Sequence, residues 1–239
     1  MSEAAERLFD MGWRDATAYG TRTRLAVKMR KRLRGLVTLK RAWRRGQDAF
    51  SALLDTGIVP VQIIGNEEFR FRRRIHRAYL HAIKRARRYI LIENAYFIPD
   101  RAVRRALARA VKRGVLVAVA VARHSDVAIV AHASRNLYSE LLRSGVRVFE
   151  WPQGMLHAKT AAIDDAWAIV GSYNFDHRSL FHQLEAVAVV ADPGFVRRLR
   201  DQTLADLARC HELTLWEHES RSWRQMLLES GAHLLRYWL

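Results

Sequence analysis

Cysteine is nearly missing. Cys210 is the only one in 239 residues, which excludes an internal disulfide framework and suits a reducing compartment. No run of about 18 apolar residues occurs. The longest, Val115 to Ala122, has strand length, so no membrane-spanning helix is expected. The opening residues, MSEAAERLFDMGWRD, are acidic-polar without an apolar stretch, and a cleaved signal peptide is not expected. Internal repeats and low-complexity tracts are absent. Acidic residues are scarce: 24 Asp and Glu stand against 41 Lys and Arg, a formal charge of +17. Such a field favours polyanionic partners, either nucleic acid or a membrane surface rich in anionic lipid, and composition does not choose between them. What is present is globular in character: 50% of the residues are hydrophobic and 10% aromatic, enough for one large domain or one domain with an arm.

Residues 1–56 differ from the rest. Nine basic residues and no acidic one lie between Lys28 and Arg45, interleaved with Leu33, Leu36, Val37, Leu39 and Trp43. This segment reads as a solvated basic linker or as a cationic amphipathic arm lying on lipid headgroups. From residue 57 to residue 239 strands and helices alternate. Strands are expected at Ile58 to Ile64, Tyr89 to Tyr96, Val115 to Val121, Val146 to Trp151, Leu156 to Ile163, Trp167 to Val170 and Glu185 to Val190. Helices are expected at Glu67 to Arg88, Arg101 to Arg113, Ser134 to Ser144, Pro193 to Ala208 and Ser220 to Trp238. The pattern predicts an α/β domain, a mixed β-sheet flanked by helices. The last helix, with Trp223, Met226, Leu227, Leu234, Leu235, Tyr237 and Trp238, either packs against the sheet or dips into a bilayer interface. Tyr96, Phe97 and Trp151 near strand ends read as core, with a lipid pocket as the alternative.

The densest chemistry is in LHAKTAAIDDAWAIVGSYN. His157, Lys159, Asp164, Gly171, Ser172 and Asn174 follow the pattern H-x-K, four residues, D, six residues, G-S-x-N. An imidazole attacking a phosphodiester phosphorus forms a phosphohistidine and divides one hard displacement into two easier ones. A second imidazole must protonate the leaving oxygen and later deprotonate the incoming nucleophile. Lys159, two residues from His157 on an expected strand, neutralises the non-bridging oxygens, and Ser172 and Asn174 at the end of the next strand donate hydrogen bonds to them. Asp164 stands at a turn, where a carboxylate holds a loop or orients a basic group. No metal or other cofactor is required by this scheme, and no His, Cys and carboxylate cluster has ligand spacing.

The run resembles the HKD signature of the phospholipase D superfamily. Asn94-Ala-Tyr-Phe-Ile-Pro-Asp100, Met155-Leu-His-Ala-Lys and Gly171-Ser-Tyr-Asn-Phe-Asp-His-Arg-Ser-Leu180 are similar to bacterial cardiolipin synthases, from about residue 58 onward. The resemblance implies a phospholipase D-like lobe and a catalytic signature of His157, Lys159 and Asp164, with Asp164 itself structural. It implies phosphate contacts from Ser172 and Asn174, and support of the histidine by Glu185. It implies a phosphatidyltransferase acting on a phosphatidylglycerol-like substrate, peripheral at the cytoplasmic face of an anionic phospholipid membrane. Gln183 departs from the family, which has asparagine two residues before the glutamate.

The larger departure is a missing second motif. None of the other nine histidines has a lysine two residues on. The family resemblance implies two motifs facing each other, so this chain carries half a site. Either a two-fold homodimer completes it, or the chain is the C-terminal portion of a longer synthase whose N-terminal lobe supplies the other half. In the dimer His157 serves as nucleophile or acid, and in the fragment as general acid/base. An HKD-type nuclease or phosphodiesterase acting as a homodimer, and a non-catalytic membrane-binding remnant, remain the competing functions.

Overall fold

The computed structural model describes residues 59, 61–66, 73–125, 127–152 and 154–235. The arm read over residues 1–56, the first turns of the long basic helix, Tyr237 and Trp238 lie outside the described residues. The elements are β1 (Val61–Gly65), α1 (Arg74–Arg85), β2 (Tyr89–Asn94), α2 (Arg101–Lys112), β3 (Leu116–Ala122), α3 (Ala128–Arg143), β4 (Arg147–Trp151) and β5 (Lys159–Ile163). There follow β6 (Trp167–Gly171), α4 (His177–Phe181), β7 (Ala186–Val190), α5 (Pro193–Leu207), β8 (His211–Leu213), α6 (Leu215–Glu219) and α7 (Trp223–Leu234).

Local chemistry explains the boundaries. Asp100 caps α2 by accepting from the Val103 amide at 3.0 Å, and Asp192 caps α5 by accepting from the Phe195 amide at 2.6 Å, with Pro193 at the first helical position. Gly114 and Gly145 follow α2 and α3 with φ of +84° each, the left-handed stop that glycine permits. The β5–β6 connection is Asp164-Asp165-Ala166, in which the Ala166 amide donates to the Ile163 carbonyl at 3.1 Å and the two aspartates take φ of +55° and +54°, the left-handed region that aspartate tolerates.

The strands form one eight-stranded mixed sheet in the order β1-β7-β6-β5-β2-β3-β4-β8. β2, β3 and β4 run parallel, with α2 and α3 as their crossovers, while β5, β6, β7 and β1 continue antiparallel from β2 and β8 pairs antiparallel with β4. The side chains alternate across the sheet. Ile90, Ile92, Val117, Val119, Val148, Ala161 and Ile169 pack under Tyr79 and Ile83 of α1, Leu107 of α2 and Leu141 of α3. On the other face Leu91, Ala118, Ala120 and Phe149 meet Leu207 of α5. Burial on both faces is why β3 is almost purely apolar. Phe97 and Trp151 pack with the core as the aromatic pattern predicts, and Phe97 meets Phe175 edge-on at 5.3 Å.

Several boundaries differ from the sequence reading. α3 starts six positions before the expected Ser134, at Ala128. β5 begins at Lys159, not Leu156, so His157 precedes the strand. β8, α4 and α6 were unexpected; each has five residues or fewer and too little periodicity to register. β8 is held at the sheet edge by pairing with β4 and by the Arg147–Glu212 pair, whose guanidinium makes two hydrogen bonds at 2.6 and 2.7 Å. No described helix is long and apolar enough to cross a membrane.

Candidate active site

The register determines what meets. The C-terminal ends of β2, β3, β4 and β6 share one sheet edge with the start of β5 and the start of β7: Asn94 pairs with Lys159, and Gly171 with Val187. Lys159, Gly171, Ser172, Asn174 and Glu185 therefore converge at that edge, with His157 two residues ahead of β5.

His157 is exposed in the connection from β4, while Lys159 is buried to 7% exposure. The Lys159 ammonium donates to the His157 carbonyl oxygen at 3.0 Å. That bond ties the cation to the segment carrying the imidazole. On the other side of β5, the Thr160 hydroxyl donates to Glu93 Oε2 at 2.8 Å, and burial raises the Glu93 carboxyl above the usual carboxylate range.

Gly171 is required by a close approach. A Cβ there would lie 2.3 Å from the Ala186 carbonyl oxygen and 2.7 Å from Val187 Cα. The absent side chain lets β6 and β7 lie tight where Ser172 leaves the sheet. The Ser172 amide donates to the Ala186 carbonyl at 3.0 Å, and its hydroxyl oxygen accepts from the Ala186 amide at 3.1 Å. The same hydroxyl donates to the Glu185 carboxylate. The second Glu185 oxygen accepts from the Ser179 hydroxyl at 2.7 Å. Glu185 is thus held by two serines of the Gly171-to-Ser179 loop. Ser172 in turn directs its proton inward, toward Glu185. Asn174 is buried, its amide N–H donates to Ser179 Oγ at 3.3 Å, and its side-chain oxygen has no hydrogen-bond partner among the described residues. Gln183 is exposed, with Oε1 3.4 Å from Ser179 Oγ.

Asp164 does not join this group. It sits at the opposite end of β5 from Lys159, five residues or roughly 16 Å along the strand. Its carboxylate accepts three backbone amides, from Arg87 at 2.7 Å, Arg88 at 2.8 Å and Tyr89 at 2.9 Å. Asp165 beside it accepts from the Tyr89 hydroxyl at 2.6 Å and pairs with Arg88 and Arg200. Asp164 holds the α1–β2 connection onto the β5–β6 hairpin, the loop-holding role its turn position predicts.

Three contributors escaped the sequence reading. Buried Asn66, just after β1, accepts from the Glu185 amide at 2.6 Å and donates to the Ser179 carbonyl at 3.0 Å. Buried Asn94 accepts from the Phe175 amide at 3.1 Å and donates to the Tyr173 carbonyl at 3.3 Å, so it clamps the loop that carries Asn174. Asp176 caps α4 through the Ser179 amide at 2.7 Å, and burial raises its carboxyl to about 6. An amide at the end of an apolar strand was the available signal for Asn94; nothing local marked Asn66. Among the described residues no group of three His, Cys, Asp or Glu side chains is arranged to hold a metal ion.

Residues 79–207 match the family model described as cardiolipin synthase, PLD-like domain. The chain is 35% identical over 207 residues to cardiolipin synthase B of Escherichia coli strain K12, covering 86% of this chain and 50% of that protein. The chain thus spans about half the length of the curated relatives it matches. Its fold resembles a phospholipase D family member, Nuc from Salmonella typhimurium, with a TM-score of 0.56, 19% identity, and coverage of 66% of this chain and 99% of that one. It also resembles the phosphatidylserine synthase of Haemophilus influenzae Rd KW20, with a TM-score of 0.59, 14% identity, and coverage of 76% and 48%. The α/β sheet, the H-x-K and G-S-x-N residues gathered at one edge and the family match over the core agree, and the chain belongs to the family of cardiolipin synthase PLD-like domains.

Proposed function

We propose that this chain supplies one half of a phosphatidyltransferase site of the cardiolipin synthase type, acting peripherally on phospholipid at the cytoplasmic face of a membrane. The carrying observation is the convergence of His157, Lys159 and Asn174 at one sheet edge in a chain with a single H-x-K. The second histidine comes from a second copy or from an N-terminal lobe on the longer relatives' pattern.

In the reaction, one histidine of the pair attacks the phosphorus of a phosphatidyl donor, forming a P–N bond as the bond to the leaving alcohol breaks. The other histidine protonates that alcohol. It then takes the proton from a phosphatidylglycerol hydroxyl, which attacks the phosphohistidine and releases the first imidazole. Lys159 offsets the charge that builds on the non-bridging oxygens, and the Asn174 side-chain amide donates a hydrogen bond to them. Ser172 joins in phosphate contact when its hydroxyl turns from Glu185; in its present orientation it fixes the loop.

The test is purified protein in mixed micelles of phosphatidylglycerol and detergent, with lipid products separated chromatographically. Cardiolipin should form, and His157→Ala should abolish it. DNA cleavage with no lipid product would replace the reading by that of a nuclease, for which a charge of +17 is equally suited. Monomers by light scattering with neither activity would leave a non-catalytic lipid-binding remnant.

A further inference from the structure

α7 is inside out. Its buried side carries Glu229, 0% exposed, with Ala232, and this side lies on α3 near Val130, Ala133 and Leu137. Glu229 is the one acidic residue of the helix, and it is neutralised by Arg221, whose Nε donates at 2.8 Å. The Asn136 amide donates to Ser230 Oγ at 3.1 Å across the same contact. The helix packs on α3, not on the sheet. Its outward side carries Trp223 at 64% exposure, Leu227 at 63% and Leu234 at 74%, which follow at intervals of four and seven. Trp216 of α6 is 78% exposed. An amphipathic helix of a water-soluble domain places its apolar stripe inward. The reverse arrangement marks a face meant for an apolar partner.

We propose that this face seats the protein in the headgroup layer of an anionic phospholipid bilayer. Charge complementarity argues for the bilayer. The chain carries +17, the outward side of α7 bears no carboxylate, and the Arg224 guanidinium lies 5.6 Å over the Trp223 ring. Tryptophan with a neighbouring arginine is the pairing that sits at the level of lipid headgroups. Size argues against a second copy. A 12-residue helix is about 18 Å long and about 10 Å across, a strip of a few hundred Å², short of the ~800 Å² per partner of a stable dimer. The position suits lipid transfer. His233 of α7 lines a cleft of about 300 Å³ together with Tyr173, Asp176 and His177, which lie within five residues of Ser172 on the same stretch of chain. The proposal deepens the phospholipid reading above and rests on it for its purpose, but binding is measured without turnover.

The experiment is co-sedimentation with phosphatidylglycerol vesicles in about 1 M salt, where the Debye length is about 3 Å and attraction by the arginines is screened. The parent protein should partition, and the triple variant Trp223→Ser, Leu227→Ser, Leu234→Ser should lose about tenfold or more of the partition coefficient. Circular dichroism should stay unchanged, because all three side chains face solvent. The single variant Trp223→Phe should keep binding and lose the share of the brominated-lipid quenching that Trp223 contributes. A parent that fails to bind overturns the proposal. So does a triple variant that partitions like the parent, or one that changes only the oligomeric mass, which would make the face a contact between copies. Vesicle binding without cardiolipin formation in micelles would instead count against the transferase reading.

Discussion

Replacing Asp164 by Asn separates a role in chemistry from a role in the scaffold. Asparagine tolerates the left-handed φ of +55° as aspartate does, so the backbone cost of the turn is common to both. The carboxylate, however, accepts three amides with two oxygens, from Arg87 and Arg88 and from Tyr89. An amide side chain keeps one oxygen and turns an NH₂ toward a backbone donor. Hydrogen bonds to a charged group contribute about 1.5–3 kcal/mol each. The Arg87 and Arg88 bonds are exposed and water replaces them in part, whereas the Tyr89 bond is part-buried. The expected loss is then about 2–3 kcal/mol, nearer to one bond than to three. With a urea slope of about 2–3 kcal/mol per molar, the midpoint should fall by about 1 M. Tryptophan fluorescence in a urea series measures it, and transfer activity per folded molecule is assayed below the transition. Activity should stay within about threefold of the parent, because no charge is altered at the His157 end of β5. An unchanged midpoint with activity lost by orders of magnitude would refute the reasoning and return Asp164 to the reaction.

Gly171→Ala should be poorly tolerated, since its Cβ meets backbone at 2.3 Å and only a shift of β7 relieves it; a loss of about 3 kcal/mol or more in thermal unfolding is expected. Asn66→Ala removes both the acceptor for the Glu185 amide and the donor to Ser179, which should cost about 2–4 kcal/mol and lower kcat more than it changes KM; Asn66→Asp, which keeps the acceptor, should recover part of both. Asp176 titrates near 6 in the fold because burial outweighs its bond from the Ser179 amide. The folded state therefore binds the proton more tightly than the unfolded chain, and this contribution to stability is full below pH 4 and is lost as pH rises toward 6. Asp176→Asn keeps the cap and removes the titration, so relative to the parent it should gain on the order of 2 kcal/mol above pH 6 in urea midpoints taken across pH.

Much of the molecule was legible in the chain. Apolar runs such as LVAVAVA announce a buried strand, and Gly114 and Gly145 announce helix stops. The spacing from His157 to Asn174 was informative because local order along two strands and one turn brings those residues to one sheet edge. Tertiary structure decided the rest. Register alone puts Lys159 opposite Asn94. The oxygens of Glu185 go to Ser172 and Ser179, and Asn66, 119 residues away, holds its backbone. The composition of the last helix could not say which side faced inward. The Glu229–Arg221 pair, a contact made through folding, turns the polar side in and leaves Trp223 and Leu227 outside. Periodicity reports which residues share a face, and only packing determines what that face meets.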